Sequence, residues 1–590
     1  MEQKRLALAF VLVAVLLIVW QIFFPPVPPQ AVQARADSAA AAAATTVPAA
    51  AAPASSGTIG AATAPVAAQA PPARTVTVRS PLYEYSFSTR GAALASATLL
   101  RFPSYVKRGE HVQLVPHGAG DVLSGTVTAA GRTLDLRTLD FTPSANALTV
   151  DSAGGAKTLT FTAAQNGAPV AEISYTFHPD DYLVDVRGRL LGLGGSGTLV
   201  TSLGTGLAPH DAREHNTASE LSYVAWNGRR VEREHISNIE GPEQDTIAGP
   251  LTWAGVRDRY FLLALIPQGR AFTRLVAVDQ PDESYRAAGE EKELVSPRAS
   301  GTVALPLGPD GSFAYRAYLG PLEHGRLVAV GNQLEEVNPY GYRWLRPIVR
   351  PIAAAVLWSL RELHEQFRMP YGWVLVLFGF LVRFVTWPLN ARAMRSQMKN
   401  MAMQPQMQAR MKDIQAKYAS DPQRQQQEMI KMYKELGVNP FSMMSGCLPM
   451  LIPMPVLITL FFVFQGAIEF RGTSFAYLPD LSVRDPFYIL PVLLVVSMFA
   501  LQWISTKLSG MEQNAQTKMM MYTMPLMMGI FFWFMPSGLN LYYVSSNIAS
   551  LPQQILIARE RKRATEAEQA KTAAAAKPSG PRRAREGRRG

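Results

Sequence analysis

Arg383 lies near the middle of an apolar run, VLVLFGFLVRFVTWPLN, which extends from Val374 to Asn390. An arginine at mid-bilayer costs about 2.5–3.5 kcal/mol on insertion scales, so it is kept there only for a use. It sits about ten residues into the run, ~15 Å at the helical rise, near the midplane of a ~30 Å hydrocarbon core. A guanidinium does not give up its proton. Its chemistry is attraction: it holds water, dipoles or a passing anionic group. The other long apolar runs contain no Asp, Glu, Lys or His, so Arg383 has no intramembrane carboxylate to pair with. Polar side chains on those runs are Gln465, Gln502, Tyr543 and Asn547, and Gly379 precedes the arginine by one helical turn. Two readings stay open. The side chain snorkels to an interface, or several spans build a water-filled cavity around it.

Little else in the chain suggests catalysis. There is no G-x-x-x-x-G-K, no H-E-x-x-H and no G-x-S-x-G, so nucleotide hydrolysis, zinc proteolysis and serine hydrolysis find no support. The 8 histidines are scattered and Cys447 is the single cysteine. No metal, cofactor or internal disulfide is expected, and the protein reads as a non-enzyme.

The chain has 590 residues, 48% hydrophobic, with net charge +12, and holds more than one domain. Its apolar residues are gathered into long runs, which points to a membrane. Leu6–Phe24 follows Lys4 and Arg5 and reads as an N-terminal anchor over residues 1–24. The alternative is a signal peptide cleaved after Ala34. Residues 25–74 are rich in Ala and Pro and read as a disordered linker. Across 75–335, segments such as TVTVRS and YEYSFS alternate, and DSAGG, QNGAP and HPDD punctuate them. This predicts an antiparallel β-sandwich with few helices. Residues 345–368 are amphipathic, with Val356, Leu360, Leu363 and Phe367 at helical spacing, and predict an interfacial helix. A helix packed on the β domain is the alternative.

Five further spans are expected at about Trp373–Leu389, Cys447–Ile468, Phe487–Thr506, Met519–Met535 and Asn540–Ile557. With the anchor they make six, which puts both termini on one side. The 392–436 loop carries nine basic residues from Arg392 to Lys434, and the tail from 558 to 590 is basic as well. The loop Glu469–Pro486 has only Arg471 and Arg484 against Glu469, Asp480 and Asp485. The positive-inside rule then places both termini and the 392–436 loop in the cytoplasm and the β domain outside. That loop is itself expected to be a helical hairpin. Met394, Met398 and Met401 share helical spacing, as do Met403, Met407 and Met411. Pro405 is expected to kink the first helix, Ser420–Gln423 to cap and start the second, and Gly437 and Pro440 to stop it.

The arginine span with TWPLNARAMRSQ, then YKELGVNP, GCLPMLIPMPV, LPDLSVRDPFYILPVL and MPSGLNLYYVSSN, resembles the YidC/Oxa/Alb membrane protein insertases over about 371–557. STRGAALASATLLRFPSY, FHPDDYLVDV and WAGVRDRYFLLALIP resemble the periplasmic domain of the Gram-negative YidC type. The resemblance implies a multi-pass helical inner-membrane protein with a five-helix core and a large periplasmic β domain. It implies insertion and folding of nascent membrane proteins, alone or beside the Sec translocon and its accessory subunits. It places Arg383 in a hydrophilic groove open to cytoplasm and lipid, with Gln502 and Tyr543 as further groove positions. Gly379 stands where the family often has threonine. The methionine-rich hairpin (Met403, Met407, Met411) and the basic tail would receive nascent chains, ribosomes or signal recognition pathway components. Pro453-Met454-Pro455 and a longer NP-to-GC segment depart from the family and leave the third span's start open. The rival readings are a membrane transporter that binds an anion at Arg383 and a tethered ligand-binding β module.

Overall fold

The computed structural model describes residues 73–575, apart from 117–120, 193–196, 212–219, 240–243, 289–290, 339–345, 420, 436–453 and 509–514. The expected anchor, all but the end of the Ala/Pro linker, Cys447, the first part of the third span and residues 576–590 lie outside the described residues.

Alternation builds the β domain. In the strand Tyr83–Ser88, Tyr83, Tyr85 and Phe87 point inward while the residues between them stay half-exposed, as a period of two requires. The inward rings meet an equally aromatic face: Phe87 lies 4.6 Å from Tyr175, and Tyr85 lies 6.5 Å from Phe177. Each buried tyrosine also needs a partner for its hydroxyl. Tyr83 donates to His178 O, Tyr85 to Leu319 O and Tyr175 to Ala92 O, at 2.8, 3.1 and 2.9 Å. These bonds cross between layers and so fix how the layers stack.

The strands form a nine-stranded sheet, a six-stranded sheet and a five-stranded sheet. Val122 bridges to Leu94 on one side and Ser202 on the other, stitching the two smaller sheets into the layer that faces the nine-stranded one. The expected sandwich is therefore present with one correction. Strands Thr75–Arg79 and Ala147–Thr149 pair in parallel, Thr77 opposite Ala147, so the domain is not purely antiparallel. Parallel partners need a long crossover, and the intervening strands supply it. Strand Phe261–Pro267 is buried on both faces, which explains its unbroken apolar sequence. Beyond the last strand, helix α1 (His324–Val330) and a 3₁₀ turn (Leu334–Val337) add Leu327, Val330, Leu334 and Val337 to the same core.

Among the described residues seven more helices follow: α2 (Arg346–Phe367), α3 (Tyr371–Lys417), α4 (Pro422–Glu435), α5 (Met454–Gly466), α6 (Ile489–Leu508), α7 (Ala515–Trp533) and α8 (Ser537–Ala575). In α2 the buried stripe is Val349, Ala353, Val356 and Leu360, and the helix packs on α5 and α3. Phe367, expected on that stripe, is exposed, as are Ile348 and Trp358, the last at 64%. The expected span and the first hairpin helix prove to be one helix. α3 runs through Pro388 and Pro405 without interruption, for a length of about 70 Å at 1.5 Å per residue. A proline removes one internal hydrogen bond, and a helix with bonds on either side survives that locally. α4 begins as expected at Pro422, with Asp421 Oδ1 accepting from Arg424 N at 3.1 Å. Among the described residues one 18-residue window, Tyr371–Pro388, is long and apolar enough to cross a membrane. Val456–Gly466, Ile489–Ile504 and Tyr522–Trp533 are apolar but shorter.

Candidate functional site: a polar seam between apolar helices

α8 lies against α3 on one side and α6 on the other, and the inward face of α3 changes character along its length. Near the β-domain end it is apolar and closed: Val374, Leu375 and Phe378 are buried. Phe378 lies 5.7 Å from Tyr542 of α8, which in turn lies 6.4 Å from Phe464 of α5. Gly379 continues this face and is buried. A Cβ there would stand 3.0 Å from Tyr542 O and 3.1 Å from Ser545 Cβ. Gly379 thus lets the two helices approach closely.

One turn further on, the same face becomes polar. Arg383 comes first, then Thr386 and Asn390 at helical spacing. Asn390 Nδ2 donates to Thr386 Oγ1 at 3.2 Å, and Thr386 Oγ1 donates to Val382 O at 2.8 Å. From α8, Gln553 Nε2 donates across the seam to Trp387 O at 3.0 Å. Arg383 lies within electrostatic reach of Tyr542. Among the described residues, Arg383 Nε, Gln553 Oε1 and Gln554 Oε1 are buried with no hydrogen-bond partner. The neighbouring Phe384 and Val385, 74% and 66% exposed, present the opposite, apolar face.

The β-domain end is closed by polar capping as well as by packing. Ser537 N donates to Val483 O at 2.7 Å and Gly538 N to Leu481 O at 2.9 Å, so α8 starts on the loop between α5 and α6. Asn540 Nδ2 donates to Phe532 O at 3.1 Å, joining the end of α7 to the start of α8. In that loop Asp485 Oδ2 accepts from Tyr477 Oη and Leu490 N, both at 2.7 Å.

The residues expected at the site divide between two faces of α8. Consecutive helix residues point about 100° apart. Tyr542 turns to α3, whereas Tyr543 turns to α7, 4.8 Å from Phe532. Asn547, one turn beyond Tyr543, donates to Ser497 Oγ of α6 at 2.9 Å. Gln502 is half-buried on α6, and among the described residues it makes no side-chain bond to Arg383. Met411 is half-buried on α3; the side chains of Met403 and Met407 lie outside the described residues. The sequence reading missed Thr386, Asn390, Gln553 and Tyr542. The first two follow Arg383 at +3 and +7, a helical signal that was available. No sequence signal distinguishes Tyr542 from Tyr543.

The structure joins a β-rich domain to a core of apolar helices, one of which is long and apolar enough to cross a membrane. Residues 75–355 match the family model described as the YidC periplasmic domain, and residues 362–565 match the 60Kd inner membrane protein model. The chain belongs to the YidC family of membrane protein insertases. Among curated relatives, the membrane protein insertase YidC of Chlorobaculum tepidum is 30% identical, with 93% of this chain and 94% of the relative aligned. That of Chlorobium luteolum is 31% identical over 92% of this chain and 93% of its own. A solved structure of an active YidC insertase aligns with 82% of this chain and 94% of its own at 18% identity and a TM-score of 0.32. The sequence matches carry the assignment, and they set aside the transporter and tethered-module readings.

Proposed function

We propose that the polar seam is the entry groove of the insertase and that Arg383 is its cation. A substrate's polar flank would enter at the α3/α8 seam while its apolar segment leaves into lipid along α5 and α7. The observation that carries this reading is the polar half of the α3 face. Buried Arg383 Nε and Gln553 Oε1 find no protein partner there. Leaving such a group unsatisfied costs about 1–3 kcal/mol, so water or a passing polar group must serve them. The groove shortens the path of polar groups through hydrocarbon, and neither nucleotide nor cofactor is needed. Asn547 and Gln502 line the second wall, on the α6 side, Tyr543 faces α7 beside it, and Gly379 sets where the groove ends.

The proposed topology has six spans in the bacterial inner membrane, both termini in the cytoplasm and the β domain in the periplasm. The charge asymmetry of the loops supports it. The exposed Ile348, Trp358 and Phe367 of α2 suit a helix resting at the lipid interface. The basic α3–α4 hairpin and tail suit nascent chains and the anionic RNA of ribosomes, with the Sec translocon and signal recognition components as partners.

Labelling tests the groove. In a Cys447→Ser background, Thr386→Cys and Gln502→Cys should react with a small membrane-impermeant maleimide added to inside-out vesicles and react poorly from the outer face. Val385→Cys, at the same depth on the lipid side, serves as control. Thr386→Cys and Gln502→Cys as inert as Val385→Cys would mean a dry seam and a structural Arg383.

A further inference from the structure

Arg471, in the loop between α5 and α6, reaches into the β domain, with its side chain only 1% exposed. Nε donates to Asp211 Oδ1 at 2.9 Å, Nη2 donates to the same oxygen, and Nη1 donates to Pro103 O at 3.0 Å. The guanidinium lies 4.6 Å from the Tyr105 ring centroid, 5.4 Å from that of Phe261 and 5.8 Å from that of Tyr260. Three separate stretches of the β domain (103–105, 210–211 and 258–261) therefore converge on one cation from the helical core. The next residue, Gly472, has φ +70, and a Cβ there would stand 2.4 Å from Tyr105 Oη, so only glycine fits this approach.

Behind Asp211 lies His210, equally buried. Its Nδ1 is 2.8 Å from Ala208 O; a carbonyl only accepts, so Nδ1 carries a proton. Its Nε2 is 2.9 Å from Asp258 Oδ2 and 3.5 Å from Asp211 Oδ2, so two carboxylates face that nitrogen. Asp258 Oδ1 accepts from Tyr260 N and Phe261 N at 2.8 and 2.7 Å. Arg471 and His210 thus face the carboxylates of Asp211 and Asp258. Burial opposes the charge on His210, but the carboxylates of Asp258 and Asp211 outweigh it and hold its pKa above the ordinary value. Tyr105 and Tyr260, beside Arg471, are pushed up to about 12 by burial and stay neutral, with Asp480 of the same loop near both.

We propose that this buried quartet makes the β domain a positioning clamp on the insertion site: through Arg471 it holds the loop on which α8 starts and keeps the outer end of the seam closed. The closure rests on the groove reading above; the clamp rests on the contacts alone. Hydrogen exchange on the full chain in lipid nanodiscs tests it without reading insertion, so a failed clamp leaves the groove standing. Asp211→Asn and Arg471→Gln should each speed exchange at the Leu481 amide, which donates to Thr473 O, by about tenfold or more. Strand Phe261–Pro267 should stay protected. The double variant should be no worse than the more damaging single one, because the pair acts as a unit.

A pH series supplies a second arm, in a Glu469→Gln background. Burial raises Glu469, in the same loop, to about 7, and its own titration must be silenced. A raised histidine pKa gives stabilisation that is complete below the ordinary histidine value and is lost as pH rises through the raised one. Loop exchange, corrected for intrinsic rate, should accelerate over that window, and His210→Gln should remove the dependence. Unchanged loop exchange in both single variants, or effects that simply add in the double, overturns the clamp. If a single variant also loosens Phe261–Pro267, the β domain itself has failed, and the pH arm decides: a flat profile overturns the proposal.

Discussion

Arg383 shows how much one residue can reveal. Its cost in an apolar span and the absence of any carboxylate on the other spans were legible from composition. Its company was not. The tyrosine within its field is Tyr542 and not Tyr543, and nothing in the consecutive pair YY says which faces α3. That choice is made by the rotation of α8, set where Gly379 lets its backbone come close. If the role of Arg383 is charge, Arg383→Lys should retain more insertion of an acid-flanked substrate than Arg383→Ala. Lysine keeps the cation and loses only the planar fork. A loss of about tenfold in Arg383→Ala corresponds to ~1.4 kcal/mol of attraction. An in vitro insertion assay into vesicles checks it; full activity in Arg383→Ala would make the charge dispensable.

At the scale of elements, α3 is the informative one. Its 47 residues reach about twice the ~30 Å that hydrocarbon requires, so its second half stands clear of the apolar layer. Periodicity and the Asp421-Pro422 start of α4 were readable because caps and spacing are local. That the span and the hairpin share one helix was not read from the sequence, where the hairpin stood as a separate loop and Pro405 was expected to kink its first helix. On the proposed reading, that extension would carry Met403, Met407 and Met411 to where nascent chains arrive. Removing Ser396–Lys434 and bridging the gap should cripple insertion while the remaining helices still fractionate with the membrane. Pulse-labelling of an inserted substrate, with the variant's level measured alongside, checks this; normal insertion would reduce the hairpin to a connector.

In the whole molecule the seam residues all come from α3, α6 and α8, and none comes from the β domain. Removing residues 75–321 with α2 retained should therefore leave most insertion activity in reconstituted vesicles. The clamp adds a refinement: that truncated protein should lose loop protection before it loses insertion. Insertion abolished in a truncated protein whose helices remain packed would mean that the β domain takes part in the substrate's path.

The sequence by itself determined the division into a β domain and an apolar helical core, the aromatic alternation of strands such as Tyr83–Ser88, and Arg383 as the residue to explain. These are signals of period and composition, and period and composition are local. Only the tertiary structure decided that Thr77 pairs in parallel with Ala147, that Tyr542 and Tyr543 serve different faces, and that Arg471 meets Asp211 across 260 positions of sequence. Each of these depends on which surfaces meet and at what rotation. Packing sets that through contacts between residues far apart in the chain, and no local pattern encodes it.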